Sequence, residues 1–195
     1  MAKNSDSPQL QKPGAVLPFW ESFVMRWYVG PVLSKKSAAP KNTETFEKLN
    51  AKILKLVEGL SQTQLDQKIL VPRLPSIEDS SRYWSISETL EHLEIVGDGI
   101  IQIIESLAEG RTVTVEINIA NVKPKGAYRG QDARVPFKKF NDRILEKLNG
   151  LSISPKTPKA RHPWMGNFNA LQWQWVLAVH SGVHLRQIKK IIEEL

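Results

Sequence analysis

The sequence predicts an all-α protein, a four-helix bundle entered through a helical arm. Three observations carry that prediction. Four long segments place apolar residues at alternating steps of three and four, the spacing of one helical face. Two of them open with Ser or Asn followed three residues later by Glu or Gln, the pattern of a capping box. Only one stretch alternates with the period of a strand.

Residues 1–17 are polar, carry Pro8, Pro13 and Gly14, and show no periodicity, so they read as a loosely draped tail. Pro18 opens an aromatic stretch in which Trp20, Phe23 and Trp27 line one helical face. Gly30 and Pro31 are expected to stop it, and Ser34 to Lys41 has no apolar face and reads as a linker. The chain therefore divides into an arm, residues 1–40, and a bundle, residues 41–195. The arm is expected to pack on the bundle, because exposed aromatic patches are costly; the same face is the candidate contact of a homodimer.

The first bundle helix is expected from Thr43 to Leu60, with Phe46, Leu49, Ile53, Leu56 and Leu60 as its stripe and Ser61 and its polar neighbours as its end. The second opens at the Ser85–Glu88 box, runs through Ile86, Leu90, Leu93, Gly97, Ile100, Ile104 and Leu107, and closes at Gly110. The third follows Pro136, with Phe137, Phe140, Ile144, Leu148 and Leu151 on its stripe. The fourth opens near Asn169 with Gln172 as the box partner and continues through Trp173, Leu177, His180, His184, Gln187 and Ile191. Val113, Val115, Ile117 and Ile119 alternate with polar residues. They are expected to form a short extended, β-like crossover, with Ile69–Leu74 and 151–154 as the nearby segments able to pair with it. The interhelix connections are long, so hairpin order is not forced.

The chain has 195 residues, no cysteine and a net charge of +7. That length fits one domain with an appended arm. The missing cysteines exclude disulfides, thiolate metal sites and a thiol nucleophile, and are compatible with a reducing, cytoplasmic setting. No apolar run of membrane-spanning length occurs, and Ala15–Leu33, broken by Glu21 and Arg26, does not read as a signal peptide. The basicity is local: 11 of the 27 Lys and Arg but only 3 of the 20 Asp and Glu fall between Asn121 and Arg161. Tyr128, Phe137 and Phe140 are the rings there, two of them on a core stripe, and no nucleic-acid-binding signature is present. The run reads as a solvated surface.

Four histidines are present. His180 and His184 lie one turn apart on the inward stripe of the last helix, and His92 lies on the wide apolar face of the second. Neutral imidazole is the commonest metal ligand, and three protein ligands with an open position are the pattern of a catalytic site. Spacing leaves two readings open: a metal site, or a core cluster bonded to buried amides such as Gln187 and Gln174.

The segment Trp84-Ser-Ile-Ser-Glu-Thr-Leu-Glu-His92-Leu resembles the second-helix motif of the DinB/YfiT family. His162-Pro-Trp-Met-Gly166, then Trp173, then His180-x-x-x-His184-x-x-Gln187-Ile resemble its last-helix signature, in the same order. The resemblance covers the chain from about Lys41 onward. It implies an up-down-down-up bundle and a divalent metal, nickel or zinc, held by His92, His180 and His184. It also implies either a metal-dependent hydrolase or a transferase acting on a small molecule with a low-molecular-weight thiol as cosubstrate.

Gln187 is a candidate to orient a ligand imidazole or to be a core-edge amide. Glu88 is a candidate general base whose capping-box role already accounts for it. His162 is read as stabilising its turn near the pocket mouth, and Trp164, Trp173 and Trp175 as core or pocket wall. Arg186, Lys138, Lys139 and Arg143 are candidates to receive an anionic substrate, with solvated surface the simpler reading. The alternative to an enzyme is a catalytically silent bundle that binds a ligand or partner through the arm.

Overall fold

The computed structural model of the chain describes residues 8–14, 18–34, 38–113 and 119–195. The long helices are α2 (Ala39–Val57), α4 (Ile86–Ala108), α5 (Arg134–Gly150) and α6 (Ala170–Glu193). Before them lies the arm, α1 (Phe19–Val24), and a short α3 (Gln62–Asp66) follows α2. α2 and α4 each pack against both α5 and α6. The consecutive helices α2 and α4 thus sit across a diagonal, as do α5 and α6, which is why their connections are long.

Each diagonal crossover ends in a small antiparallel ribbon. β1 (Ile69–Leu70) pairs with β2 (Tyr83–Trp84), and β3 (Ala160–His162) pairs with β4 (Gly166–Phe168). Gly166 turns the second ribbon at φ +97°, a conformation that favours glycine. Each ribbon runs into a capped helix. Ser85 Oγ accepts from the Glu88 amide while the Glu88 carboxylate accepts from the Ser85 amide. Asn169 and Gln172 repeat the exchange at α6. Both boxes satisfy first-turn amides that a helix leaves orphaned.

The stripes expected on the second, third and fourth bundle helices form one core with Phe46, Ile53 and Val57 of α2. The α2 stripe is turned slightly from expectation. Asn50 and Val57 are buried, whereas Leu49, Leu56 and Leu60 are only partly so. Gly97 lets α4 and α5 approach closely: a Cβ there would lie 2.3 Å from Phe140 Cζ.

Four local expectations are corrected. Ser61 does not end a helix; it caps α3, exchanging hydrogen bonds with Gln64. α5 begins two residues before Pro136, which sits in the first turn, where its missing N–H costs nothing. Gly30 and Pro31 do not stop the arm, which continues in wide π-type turns from Met25 to Leu33. Ile69–Leu70 is a strand, but its partner is Tyr83–Trp84. Most of the alternating segment, residues 114–118, lies outside the described residues, and Ile119 opens a 3-10 turn that reaches Val122.

The arm is attached on one side and open on the other. Glu21, buried, accepts from Arg73 at 2.6 Å, and Met25 packs on the core. Trp20, Phe23 and Trp27 remain 60%, 55% and 65% exposed, so the aromatic face is not the packed one. Among the described residues no helix is long and apolar enough to cross a membrane.

Candidate metal centre

The structure brings His92 of α4 together with His180 and His184 of α6. One nitrogen from each ring lies within 4.8 Å of the others. Ring centroids are 4.6 Å apart for His180–His184, 4.7 Å for His92–His184 and 5.1 Å for His92–His180. The i, i+4 spacing on α6 supplies two rings on one face, and the α4·α6 packing supplies the third.

Two of the rings have their tautomers set by partners. His92 Nδ1–H donates to the Val122 carbonyl at 2.7 Å. His184 Nδ1–H donates to Gln187 Oε1 at 2.8 Å. The amide of Gln187 is oriented in turn, because its Nε2 donates to the Ser81 carbonyl at 2.7 Å. With Nδ1 protonated, Nε2 of each ring carries a lone pair and is the available donor atom. Burial is the main force holding His92 and His180 far below the ordinary histidine range, reinforced by the neighbouring His184. Burial brings His184 down to about 4, against a smaller upward pull from Gln187. All three rings are neutral at neutral pH, as metal ligation requires.

The donor set fits a divalent ion. Metal–nitrogen bonds of about 2.0–2.1 Å hold tetrahedral imidazole nitrogens ~3.3 Å apart. The closure needed from the observed spacing is at most ~1.5 Å, within reach of side-chain torsions. Trp84 walls the cluster, its ring 4.9 Å from His92 and nearly parallel to His184 at 6.1 Å.

A second cluster backs the first. Lys123 Nζ donates to Glu78 Oε2 at 2.6 Å, Ser80 Oγ at 2.9 Å and Ser81 Oγ at 2.6 Å. It thereby staples residues 78–81 to the turn ending at Val122, and those two segments supply the carbonyls that orient His92 and Gln187. Glu78 Oε1 has no hydrogen-bond partner. Sequence reading missed this cluster, because its members come from two irregular turns more than forty positions apart.

A cavity of about 490 Å³ opens beside His92 and His180, between α4, α6 and the second ribbon. His162 lines it. The Trp164 and Met165 amides donate to His162 Nδ1 at 3.2 and 3.3 Å, which stabilises the turn as expected and leaves the ring proton on Nε2. Burial lowers its pKa to about 4, so it is a neutral N–H donor. Trp164 and Trp173 are cavity wall, and Trp175 packs at the core edge.

Other expected residues lie elsewhere. Glu88 is committed to its cap and to Lys68 at 2.7 Å, and lines a separate polar cleft rather than the histidine cavity. Gln174 does not reach the histidines; it ties α6 to Ala39 and Thr43 of α2. Arg186 is exposed and donates to the Pro75 carbonyl. Lys138 and Arg143 pair with Asp142 and Asp98 on the surface, and Lys139 is exposed.

No protein-family model and no curated protein sequence matches the chain. Among solved structures, YfiT from Bacillus subtilis, described as a probable metal-dependent hydrolase with an unusual four-helix bundle topology, superposes with a TM-score of 0.58. The match covers 80% of this chain and 86% of that one at 16% sequence identity. A likeness at that identity carries the fold. This chain has the four-helix bundle fold of YfiT.

Proposed function

We propose that this protein is a metal-dependent enzyme acting on a small molecule, with a divalent ion held by His92, His180 and His184. One observation carries the reading. Two helices deliver three neutral imidazoles to one spot, with Nδ1 of His92 and His184 already bonded and Nε2 left as a lone pair. Zinc and nickel suit an all-imidazole set. Three protein ligands leave either ion's coordination unfinished, as in catalytic rather than structural sites. When bound, the ion supplies Lewis acidity and makes water or a thiol available as a nucleophile near neutral pH.

The chain's own residues supply the rest. Val122 and Gln187 fix the ligand tautomers. Trp84 limits ring rotation from one side. His162 lines the cavity and keeps its ring proton on Nε2, a donor suited to an oxygen on which negative charge develops. Hydrolysis, the activity in the description of YfiT, is the first reading for this chain. A low-molecular-weight thiol in place of water would make the same site a thiol transferase.

Protein purified without added metal and analysed for elemental content is expected to hold zinc or nickel at about one ion per chain. Cobalt substitution is expected to give a visible ligand-field spectrum that His184→Ala loses. A wild-type protein that binds none of these three ions in calorimetry overturns the reading. Activity screens on the loaded protein, run with and without small thiols, separate hydrolase from transferase.

A further inference from the structure

The histidine cavity has a chemical bias. Along α4 its wall is formed by residues at successive steps of three and four, from His92 through Val96, Gly99 and Ile103 to Ser106. α6 faces it with Trp173, Val176 and His180. At 1.5 Å per residue the α4 wall extends ~21 Å from His92. The volume, about 490 Å³, lies in the usual range for a small-molecule site.

Among the described residues, only two lining side chains carry a charge, Glu78 and Lys123. They are bonded to each other. An ammonium has three N–H donors, and all three of Lys123 are taken by Glu78, Ser80 and Ser81. Among the described residues no lining cation is therefore free to meet an anion, and the lining carboxylate, though its Oε1 accepts no hydrogen bond, already has its counterion. The rest of the wall is dominated by aliphatic and aromatic side chains. An anionic group entering here would lose its hydration without gaining a counterion, a cationic one would meet only a carboxylate already neutralised by Lys123, and an apolar group would be favoured.

We propose that this cavity selects substrates whose body is uncharged and apolar, an alkyl chain or aromatic ring carried by an acyl compound such as an ester or amide. That body lies along α4 and the acyl end sits at His92 and His180. The proposal rests on the metal-centre reading for which end reacts, but the preference for an apolar body stands on the cavity wall alone. It also removes the exposed Arg186 and the basic face of α5 from substrate recognition.

The test is a titration with straight-chain alkyl hydroxamic acids of two to eight carbons, followed by tryptophan fluorescence, since Trp164 and Trp173 line the cavity. The parallel series is the primary carboxamides of the same lengths. Both are run on zinc-loaded and chelated protein. In both series the dissociation constant is expected to fall roughly fourfold per methylene until the cavity is filled. Analogues ending in a carboxylate or an ammonium should bind at least ~10-fold more weakly than alkyl chains of equal length. Gly99→Leu sharpens the result, because a Cβ at Gly99 meets nothing within 4 Å. The variant should stay folded by circular dichroism and lose the gain from the longer chains. A dissociation constant independent of chain length, or tighter binding of the charged tails, overturns the proposal. Failure of the metal reading looks different: hydroxamates would lose their zinc-dependent advantage over carboxamides while the chain-length slope persisted.

Discussion

The α4·α6 seam and the helices α2 and α5 opposite it bury polar side chains in contrasting ways. Across α4·α6, His92, His184 and Gln187 are buried and each is bonded to a named acceptor or donor. On α2 and α5, Asn50 and Asn141 are only 2% and 5% exposed, and neither atom of either amide has a hydrogen-bond partner. One set of polar groups is held in fixed orientation around shared lone pairs, and the other is embedded in plain apolar stripes beside Phe46 and Phe140. A buried polar group that is fully oriented has a geometry to deliver. One without partners only carries a desolvation cost, about 1–3 kcal/mol.

Acid breaks the comparison most strongly. His162 and His184 are held at about 4 by burial, against ~6.5 in an unfolded chain. As pH falls below about 6.5 the unfolded state takes up protons that the folded state refuses, so stability declines from there toward pH 4. Each such histidine contributes roughly 3 kcal/mol across that window, and burial of His92 and His180 acts in the same direction. The asparagines do not titrate. Thermal melts of the chelated protein should therefore show a steep fall in melting temperature from pH 6.5 to 4. A flat profile would mean that the seam is not closed to protons.

Gln187 sharpens the comparison at the next scale. Gln187→Leu removes the acceptor on His184 Nδ1 and leaves the Ser81 carbonyl unpaired. Zinc affinity, measured by competition with a chromophoric chelator, should weaken by ~10–100-fold, the usual cost of losing an outer partner of a ligand. Gln187→Glu keeps the acceptor and should restore most of it. Asn141→Leu, on the other side, should leave zinc affinity unchanged. Equal effects from Leu at both positions would erase the distinction between the two regions.

The parts of this molecule legible in its sequence are those encoded within one turn. The two capping boxes placed the starts of α4 and α6 because their bonds span three residues. The three inward histidines were visible because helical spacing sets their faces. What joins them was not. The Val122 carbonyl lies thirty positions from His92 and the Ser81 carbonyl 106 positions from Gln187, and a backbone acceptor has no residue signature. Lys123 read as one member of a basic run, although it is the staple between two turns. The ribbons were too short for an alternating pattern to register. The diagonal order of the helices follows from side chains meeting across the core, such as Gly97 against Phe140, which no periodicity encodes.

The smallest expected effect tests whether the α2 and α5 stripes gain anything from their amides. Asn50 lies one turn beyond Phe46 and close to one turn before Ile53, inside the apolar stripe of α2. Asn and Leu are similar in length, and replacing an unpaired amide with an apolar group of near shape removes the desolvation cost without orphaning a partner. Leucine is also the better helix former. Asn50→Leu is therefore expected to stabilise the protein by about 1 kcal/mol, read as a higher urea midpoint at unchanged slope. A destabilisation of that size would mean that Asn50 has a partner in solution, an ordered water or a neighbouring amide. Its stripe would then be a second oriented polar site rather than the passive side of the bundle. The double variant with Asn141→Leu distinguishes these cases. Independent amides give additive gains, and amides that satisfy one another give a coupling outside the ~0.5 kcal/mol scatter of separate sites.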